Sequence, residues 1–124
     1  MARRGVTKES IMGTRALTVL REEDGTEIAV LYQQYDGDSH GQKLEDMVKG
    51  RPVVNGFNDL TQRPFNGGGC LAAQIVAHFK GDRTGGFYLM PAGTRDVGEE
   101  YVYTIRPVNG RIKITTKEAN WRTP

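Results

Sequence analysis

Cys70 is the side chain best suited to nucleophilic chemistry in this sequence. It follows three glycines at the start of a predicted helix, where the helix dipole favours the thiolate form. A cysteine hydrolase also needs a base within hydrogen-bond reach of the sulfur. His78 lies two turns further along the same helix, roughly 12 Å away by helical rise, which leaves His40 as the candidate base. The alternative is that Cys70 is a small residue at the margin of the core.

The residues that precede Cys70 offer a different chemistry, the binding of an anion. They are Asn66, Gly67, Gly68 and Gly69. Uncovered N–H groups at a helix N-terminus carry about half a positive charge and bind anions readily. No phosphate-loop or dinucleotide-binding motif is present in the sequence. We therefore keep two interpretations of this segment, an anion-binding helix end and a tight turn that packs against a neighbouring strand.

A pair of basic residues on a predicted β-hairpin is a second candidate for anion binding. The Asn109-Gly110 dipeptide is a strong signal for a two-residue type I′ turn. In that register Arg106 faces Lys113, and like charges directly opposite each other cost on the order of a few tenths of a kcal/mol. A sequence that keeps this pair either has an anionic partner or protects a sheet edge by charge. The neighbouring cations are Arg111 and Lys117.

Two acidic clusters complete the set of chemical candidates. Asp36, Asp38 and His40 are spaced like the first half of a calcium loop. The twelfth position of that loop is Met47, where a bidentate glutamate is needed, so we predict a polar turn and no metal site. The loop 95–100 contains carboxylates that can do general acid–base work if burial separates their pKa values. The alternative for this loop is a solvated charge cluster.

Two predicted helices position these groups. Apolar residues with a period of 3.6 indicate an amphipathic helix that runs from the glycines to Gly81. Its buried stripe is expected to contain Leu71, Ala72, Ile75, Val76 and Phe79. A shorter helix is predicted from Ser39 or His40 to Lys49, and its apolar side contains Leu44, Met47 and Val48.

The first predicted hairpin lies within residues 16–35. Asp24-Gly25 is a strong turn signal, and a two-residue turn there pairs Val19 with Val30. The same register sets Glu22 opposite Glu27, which is an unfavourable pair of like charges. A longer loop at this turn is therefore the alternative.

The remaining strands complete an α+β fold. Residues 87–90 are apolar throughout, which favours a central strand of the sheet. The hairpin about Asn109-Gly110 has one apolar side that is expected to pack on the helices. The order of elements is ββααβββ, which predicts an antiparallel sheet of about five strands with two helices on one face.

Length and composition set the remaining limits. A chain of 124 residues with 37% apolar and 26% charged residues is typical of one soluble globular domain. We divide residues 1–124 into this domain, a basic flexible arm over 1–12 and a short tail over 118–124. The net charge of +2 is too small to indicate nucleic-acid binding by itself. A single cysteine fits a reducing cytoplasm, and no membrane span or secretory signal is evident.

Three segments are similar to segments of short single-domain proteins of unassigned function that are carried by phages, prophages and microbial genomes. They are LYQQYDGDSHGQKL, NGGGCLAAQIVAHFKG and GGFYLMPAGTRDVGEEYVYTI, and the resemblance covers residues 13–116. The resemblance transfers no catalytic residue. It implies a protein that acts by binding, as an inhibitor of a host defence enzyme, a sponge for nucleotide signals or an accessory protein of a particle.

These observations favour a non-enzymatic binding protein of the host-cell cytoplasm, without a cofactor and without a membrane. The expected partner is a host defence protein or an anionic nucleotide ligand, and nucleic acid is kept as a further partner. A homo-oligomer is predicted. The alternatives are a small cysteine- or carboxylate-dependent hydrolase and a structural or accessory protein of a phage particle.

Overall fold

The computed structural model describes residues 13–56 and 60–118, so the predicted arm over 1–12 and most of the predicted tail lie outside the described residues. The described residues form a five-stranded sheet, a two-stranded ribbon and two α-helices. The strands are β1 (Ala16–Arg21), β2 (Glu27–Gln33), β3 (Val53–Val54), β4 (Phe65–Asn66), β5 (Phe87–Met90), β6 (Tyr101–Val108) and β7 (Arg111–Glu118). The helices are α1 (His40–Val48) and α2 (Gly67–Lys80). The predicted α+β class is confirmed.

The strand order is β5-β2-β1-β6-β7, and the sheet is mixed. Our prediction of a wholly antiparallel sheet is wrong at one pairing, because β1 and β6 run parallel, with Ala16 beside Tyr101 and Leu20 beside Ile105. The cause is the connection 91–100. It leaves β5 at one edge, passes β2 and β1, and enters β6 in the direction of β1, as a crossover between parallel strands does.

The strand β5 is at an edge of the sheet, so our prediction of a central strand is wrong. Among the described strands it pairs with β2 alone. Phe87 is buried against the helices, whereas Tyr88 is 44% exposed and Leu89 is 62% exposed. The apolar run 87–90 therefore consists of one buried residue, Phe87, followed by uncharged residues of an edge strand. Composition alone does not distinguish such a strand from a central one.

The first hairpin has the predicted register over most of its length, including Val19 opposite Val30. A bulge between Leu20 and Arg21 then sets Arg21, rather than Glu22, opposite Glu27. The two side chains form an ion pair of 3.3 Å between Arg21 Nη2 and Glu27 Oε1. The predicted pair of like charges is thus wrong, because the bulge replaces it with an attractive pair.

Both helices pack on the same face of the sheet. The main hydrophobic cluster joins α1 and α2 to that face, and its fully buried members include Leu44, Phe65, Leu71, Ile75 and Ile105. The predicted stripe of α2 is confirmed, with Val76 partly rather than fully buried. The glycines form the first turn of α2 rather than a loop before it.

The connection 91–100 lies on the opposite face of the sheet. The Gly93 N–H and the Arg95 guanidinium both bind Glu27, which stands beside Arg21 on that face. Beneath this connection lie side chains with 0% exposure, which are those of Leu17, Val19 and Val30. As a result much of β1 and β2 is covered on both faces, whereas Tyr88 on β5 and the outer sides of β6 and β7 face solvent.

Candidate functional site

The β6–β7 hairpin places its basic residues as the sequence predicts. Asn109 has a φ of 51° and Gly110 a φ of 77°, the two positive values that a type I′ turn requires. The register sets Arg106 opposite Lys113, which confirms the predicted pair. Because side chains alternate along a strand, Arg111 and Lys117 lie on the same side as Lys113. We call these four residues the hairpin cations.

No described carboxylate forms an ion pair with a hairpin cation, but Glu23 lies close to them, since its Oε2 accepts a hydrogen bond of 3.0 Å from the N–H of Asn109 in the turn. The ion pairs between described residues are those of Glu27 with Arg21 and Arg95, so no described carboxylate lies within 4.0 Å of a hairpin cation. Arg106 is half-buried, and its Nη1 donates to the backbone oxygen of Glu23 at 2.9 Å. Lys113, in contrast, is exposed. The accessible charge is therefore on β7, and Arg106 is tied to the turn between β1 and β2.

The geometry of this surface suits an extended or flat anion. Residues two apart on a strand project about 7 Å apart on one side. Arg111 and Lys113 follow this spacing, and Lys117 lies four residues beyond Lys113, all on the flat side of the hairpin. Arg111, next to the turn, also lines a groove beside α1. Such a row can contact carboxylates or phosphates that are themselves spaced along a chain or across a surface.

The N-terminus of α2 packs tightly on the turn between β1 and β2. A Cβ added to Gly68 would overlap Glu22 Oε1 and lie 3.1 Å from Glu22 Cα, so no larger residue fits without displacement. Asn66 does not cap the helix, and its Oδ1 accepts a hydrogen bond of 2.8 Å from the N–H of Gly56. This geometry is the one expected from a glycine that permits close approach of a neighbouring strand.

The same contact brings a carboxylate to the positive end of α2. The Glu22 side chain lies beside Gly68, and an external anion would meet its negative charge there. Gly67 and Gly69 face open space, since an added Cβ would meet no heavy atom within 4 Å at either residue. Anion binding at residues 66–69 stays a prediction.

Cys70 and His40 lie at opposite ends of α2. Cys70 is in the first turn of the helix, and its sulfur accepts a hydrogen bond of 3.5 Å from Gln74 Nε2. The His40 ring packs edge-on against Phe79 near the other end of α2, with 4.5 Å between ring centroids. Residues 70 and 79 are separated by about 13 Å of helical rise. The structure therefore does not bring these two candidates together as a thiol and its base.

His40 is instead a buried residue of an aromatic cluster. Its side chain has 0% exposure, and neither ring nitrogen has a hydrogen-bond partner among the described residues. Phe79, Phe87 and Tyr103 surround the ring at centroid distances of 4.5 to 5.9 Å. Burial, with a smaller effect of the nearby Lys43 charge, lowers the pKa of His40 to about 4. The spacing of His40, Leu44 and Val48 along α1 was the sequence signal for this burial.

The carboxylates of the connection 91–100 hold that loop in place. Glu99 is only 4% exposed, and its two oxygens accept hydrogen bonds from the N–H groups of Asp96 and Val97 at 3.1 and 2.8 Å. Glu27 receives two hydrogen bonds from Arg95, which lower the pKa of the Glu27 carboxyl. The alternative of a solvated cluster is therefore wrong for Glu99.

The predicted polar turn before α1 separates its acidic residues from the histidine. Asp36 and Asp38 are exposed, whereas His40 is buried. Within residues 13–56 and 60–118, no three side chains of the types His, Cys, Asp and Glu are grouped as a metal site requires.

A groove of about 860 Å³ is a feature that sequence reasoning missed. It lies between the C-terminal end of α1, the loop that follows it and the turn of the β6–β7 hairpin. Its lining carries both signs of charge, since it includes Glu45 and Asp46 as well as Lys49, Arg51 and Arg111. No local pattern could have shown it, because its walls come from segments that are far apart in the chain.

Comparisons with protein families, curated proteins and solved structures found no match to this chain. Among the described residues, each helix is too short or too polar to cross a bilayer. Any assignment of function therefore depends on the geometry of the residues themselves.

Proposed function

We propose that this protein is a non-enzymatic binding protein that holds an acidic surface of another protein against its hairpin cations. The observation that carries the proposal is that these cations lie in a row, with no described carboxylate within 4.0 Å to neutralise them. Such a row is complementary to an anionic surface of a partner. In line with the resemblance to phage-borne proteins, the partner is a host defence protein and the place of action is the host cytoplasm.

The shape of the surface favours a protein partner over a free nucleotide. Small ligands are bound in concave sites that bury most of their surface. The hairpin cations lie instead on one side of two paired strands. A flat surface of this kind gains binding energy only from a partner that covers it broadly.

The groove beside the hairpin supports the nucleotide-binding alternative as a second candidate. Its volume of about 860 Å³ is sufficient for a nucleotide, and Lys49, Arg51 and Arg111 line it. Arg51 is already engaged, since it donates to the backbone oxygen of Arg63 at 2.7 Å and to Gln74 Oε1 at 2.8 Å. We rank this candidate second because acidic residues line the same groove.

The test of the proposal is charge reversal on β7. Lys113→Glu combined with Lys117→Glu changes two exposed residues that make no ion pair with a described residue. The probe is labelled polyglutamate at low salt, with binding followed by fluorescence anisotropy. We expect the double variant to lose binding and the parent protein to lose it as salt is raised, because exposed charges are screened.

A matched control distinguishes the effect of the hairpin cations on binding from the effect of the net charge of the protein. Lys43→Glu combined with Arg63→Glu changes the net charge by the same amount at exposed positions away from β7. If both double variants bind polyglutamate equally well, the proposal is wrong for the hairpin. A panel of nucleotides tested against Lys49→Glu decides the second candidate, which predicts weaker nucleotide binding in that variant alone.

A further inference from the structure

The outer edge of β7 has backbone groups that no described strand covers. β7 is the last strand in the sheet order, and β6 is its one partner among the strands described. The two-residue turn makes Val108 and Arg111 a hydrogen-bonded pair, and such pairs recur at every second residue. The N–H and C=O groups of Lys113 and Thr115 therefore point to β6. The N–H and C=O groups of the intervening residues point to the open side. These residues are Ile112, Ile114 and Thr116.

This edge lacks the backbone devices that usually close an edge. The pairing of β6 with β7 is continuous over eight residues, without a bulge, and β7 contains no proline. Pro107 is on β6, beyond the last residue that pairs with β1, so it leaves the β7 edge intact. What protects β7 is the charge of its outer side.

That charge works against a second copy of the same chain. In antiparallel self-pairing centred on Ile114, Arg111 of one copy faces Lys117 of the other. Centring on Lys113 sets Lys113 opposite itself, and centring on Thr115 sets Lys113 opposite Lys117. Each of these three registers thus places two cations opposite each other, which is unfavourable.

We propose that β7 binds an extended acidic segment of a partner protein as an additional antiparallel strand. This inference rests on the proposed function and names its mode of binding. Acidic side chains at alternate positions of the segment would lie beside Lys113 and Lys117. The positions between them would lie beside the half-buried Ile112 and Ile114, which suits β-branched residues. Main-chain hydrogen bonds supply affinity in this mode, and the alternating side chains supply specificity.

The experiment uses a short labelled peptide in which glutamate and valine alternate. In the proposed register the valine N–H groups face β7 and the glutamate N–H groups face away. N-methylation of the valines removes the donors that β7 needs, whereas N-methylation of the glutamates is the matched control. We expect the valine-methylated peptide to bind at least about tenfold more weakly than the control, because several hydrogen bonds are lost together. A peptide of the same composition with its glutamates in one block should also bind weakly.

A variant of the protein tests the same contact from the other side. Thr116→Pro removes one N–H at the open edge without removing a bond to β6, while Thr116→Ala keeps that N–H. Peptide binding should weaken in the proline variant only. In the parent protein, hydrogen exchange at Ile112 and Ile114 should slow when the peptide binds, and this measurement does not depend on the folding of any variant.

The outcomes separate the two proposals. If Lys113→Glu with Lys117→Glu abolishes binding but all peptides bind the parent protein equally, the hairpin binds anions and strand addition is wrong. If that double variant binds the alternating peptide as well as the parent does, or if no peptide binds at low salt, both proposals are overturned. Slowed exchange at Ile112 and Ile114 together with sensitivity to valine methylation supports strand addition.

Discussion

The two edges of the five-stranded sheet are protected in different ways. β5 has four residues and no charged side chain, but its backbone is largely closed. Phe87 accepts a hydrogen bond of 2.9 Å from Lys80 Nζ and donates one of 2.9 Å to the oxygen of Gly85. Pro91 follows the strand directly. Only Leu89 has backbone groups directed to the open side.

β7 is the reverse case, since its side chains are charged and its backbone is open. Closure by a bonded lysine or a proline blocks any incoming strand, whatever its sequence. Protection by charge blocks only strands of the same sign and leaves the edge open to an acidic one. The apolar edge strand β5 is therefore less able than β7 to pair with an added strand. Its exposed apolar residues, taken alone, would predict the opposite.

The largest effect that we expect is a pH dependence of the unfolding free energy, and it arises in the aromatic cluster that holds β5. Phe87, its first residue, belongs to the aromatic cluster around His40. His40 is uncharged in the folded protein down to a pH of about 4, whereas the unfolded chain takes up this proton near pH 6.5. As pH falls from about 6.5 to about 4, the unfolding free energy should therefore fall, by about 3 kcal/mol at most. Urea unfolding at several pH values measures this slope.

Two variants isolate the contribution of His40. His40→Leu removes the buried imidazole, so its stability should depend less on pH than that of the parent, and it should be at least as stable near pH 7 because two unpaired ring nitrogens are lost. His78→Leu changes the exposed histidine and should keep the slope of the parent. During acidification, hydrogen exchange at Tyr88 should accelerate before exchange at Lys113. Equal slopes in all three proteins would contradict this account.

Local signals in the sequence were sufficient for the β6–β7 hairpin, and for the β1–β2 hairpin as far as its bulge. Asn109-Gly110 fixed the pairing of Arg106 with Lys113, because a two-residue turn leaves no freedom of register. The parallel contact of Ala16 with Tyr101 could not be predicted, since it joins residues that are distant in the chain and no turn connects them. The edge position of β5 could not be predicted from the sequence for a related reason. A short apolar run indicates burial without saying which neighbour supplies it.

In the candidate site, too, the features that depend on local sequence were predictable and those that depend on long-range packing were not. The hairpin cations were predictable, because they depend on one turn and on alternation along a strand. The approach of Glu22 to Gly68 was not, because it arises from the packing of α2 against the turn between β1 and β2. The burial of His40 was predictable in principle from its spacing to Leu44 and Val48, but its position after Asp36 and Asp38 suggested a polar turn.

A smaller effect is expected when the closure of β5 is removed. Lys80→Met keeps the length of the side chain but loses the hydrogen bonds to the oxygens of Phe87 and Gly85. The variant should be less stable by about 1–2 kcal/mol, since hydrogen bonds that involve a charged group contribute about that much. It should also self-associate more than the parent, because the Phe87 oxygen becomes free beside the exposed Leu89.

Urea unfolding and sedimentation together test this prediction. Lys49→Met is the matched control, because it removes an exposed lysine that makes no hydrogen bond or ion pair with a described residue. If Lys80→Met and Lys49→Met unfold and sediment alike, Lys80 does not close the edge. The two edges would then differ in charge alone.

The smallest expected effect is also the most specific test of the comparison. In self-pairing of β7 centred on Thr115, Lys113 of each copy faces Lys117 of the other. Lys113→Glu turns both repulsive pairs into attractive ones, each contributing on the order of 0.2–1 kcal/mol, and so should produce a weak dimer. Lys117→Glu should do the same. The double variant restores like charges in this register but makes the pair with Arg111 attractive in the register centred on Ile114. Arg111→Ala is therefore added to the double variant, which should then associate no more than the parent. Sedimentation over a range of concentrations, at low and high salt, measures the three variants. Replacing one lysine by glutamate lowers the net charge of +2 by two units, to zero, and this change alone favours association. Lys43→Glu has the same net charge and is therefore the control. Association of the β7 single variants beyond that of Lys43→Glu would come from the new attractive pairs, and its absence would mean that something other than the hairpin cations keeps β7 from pairing with itself.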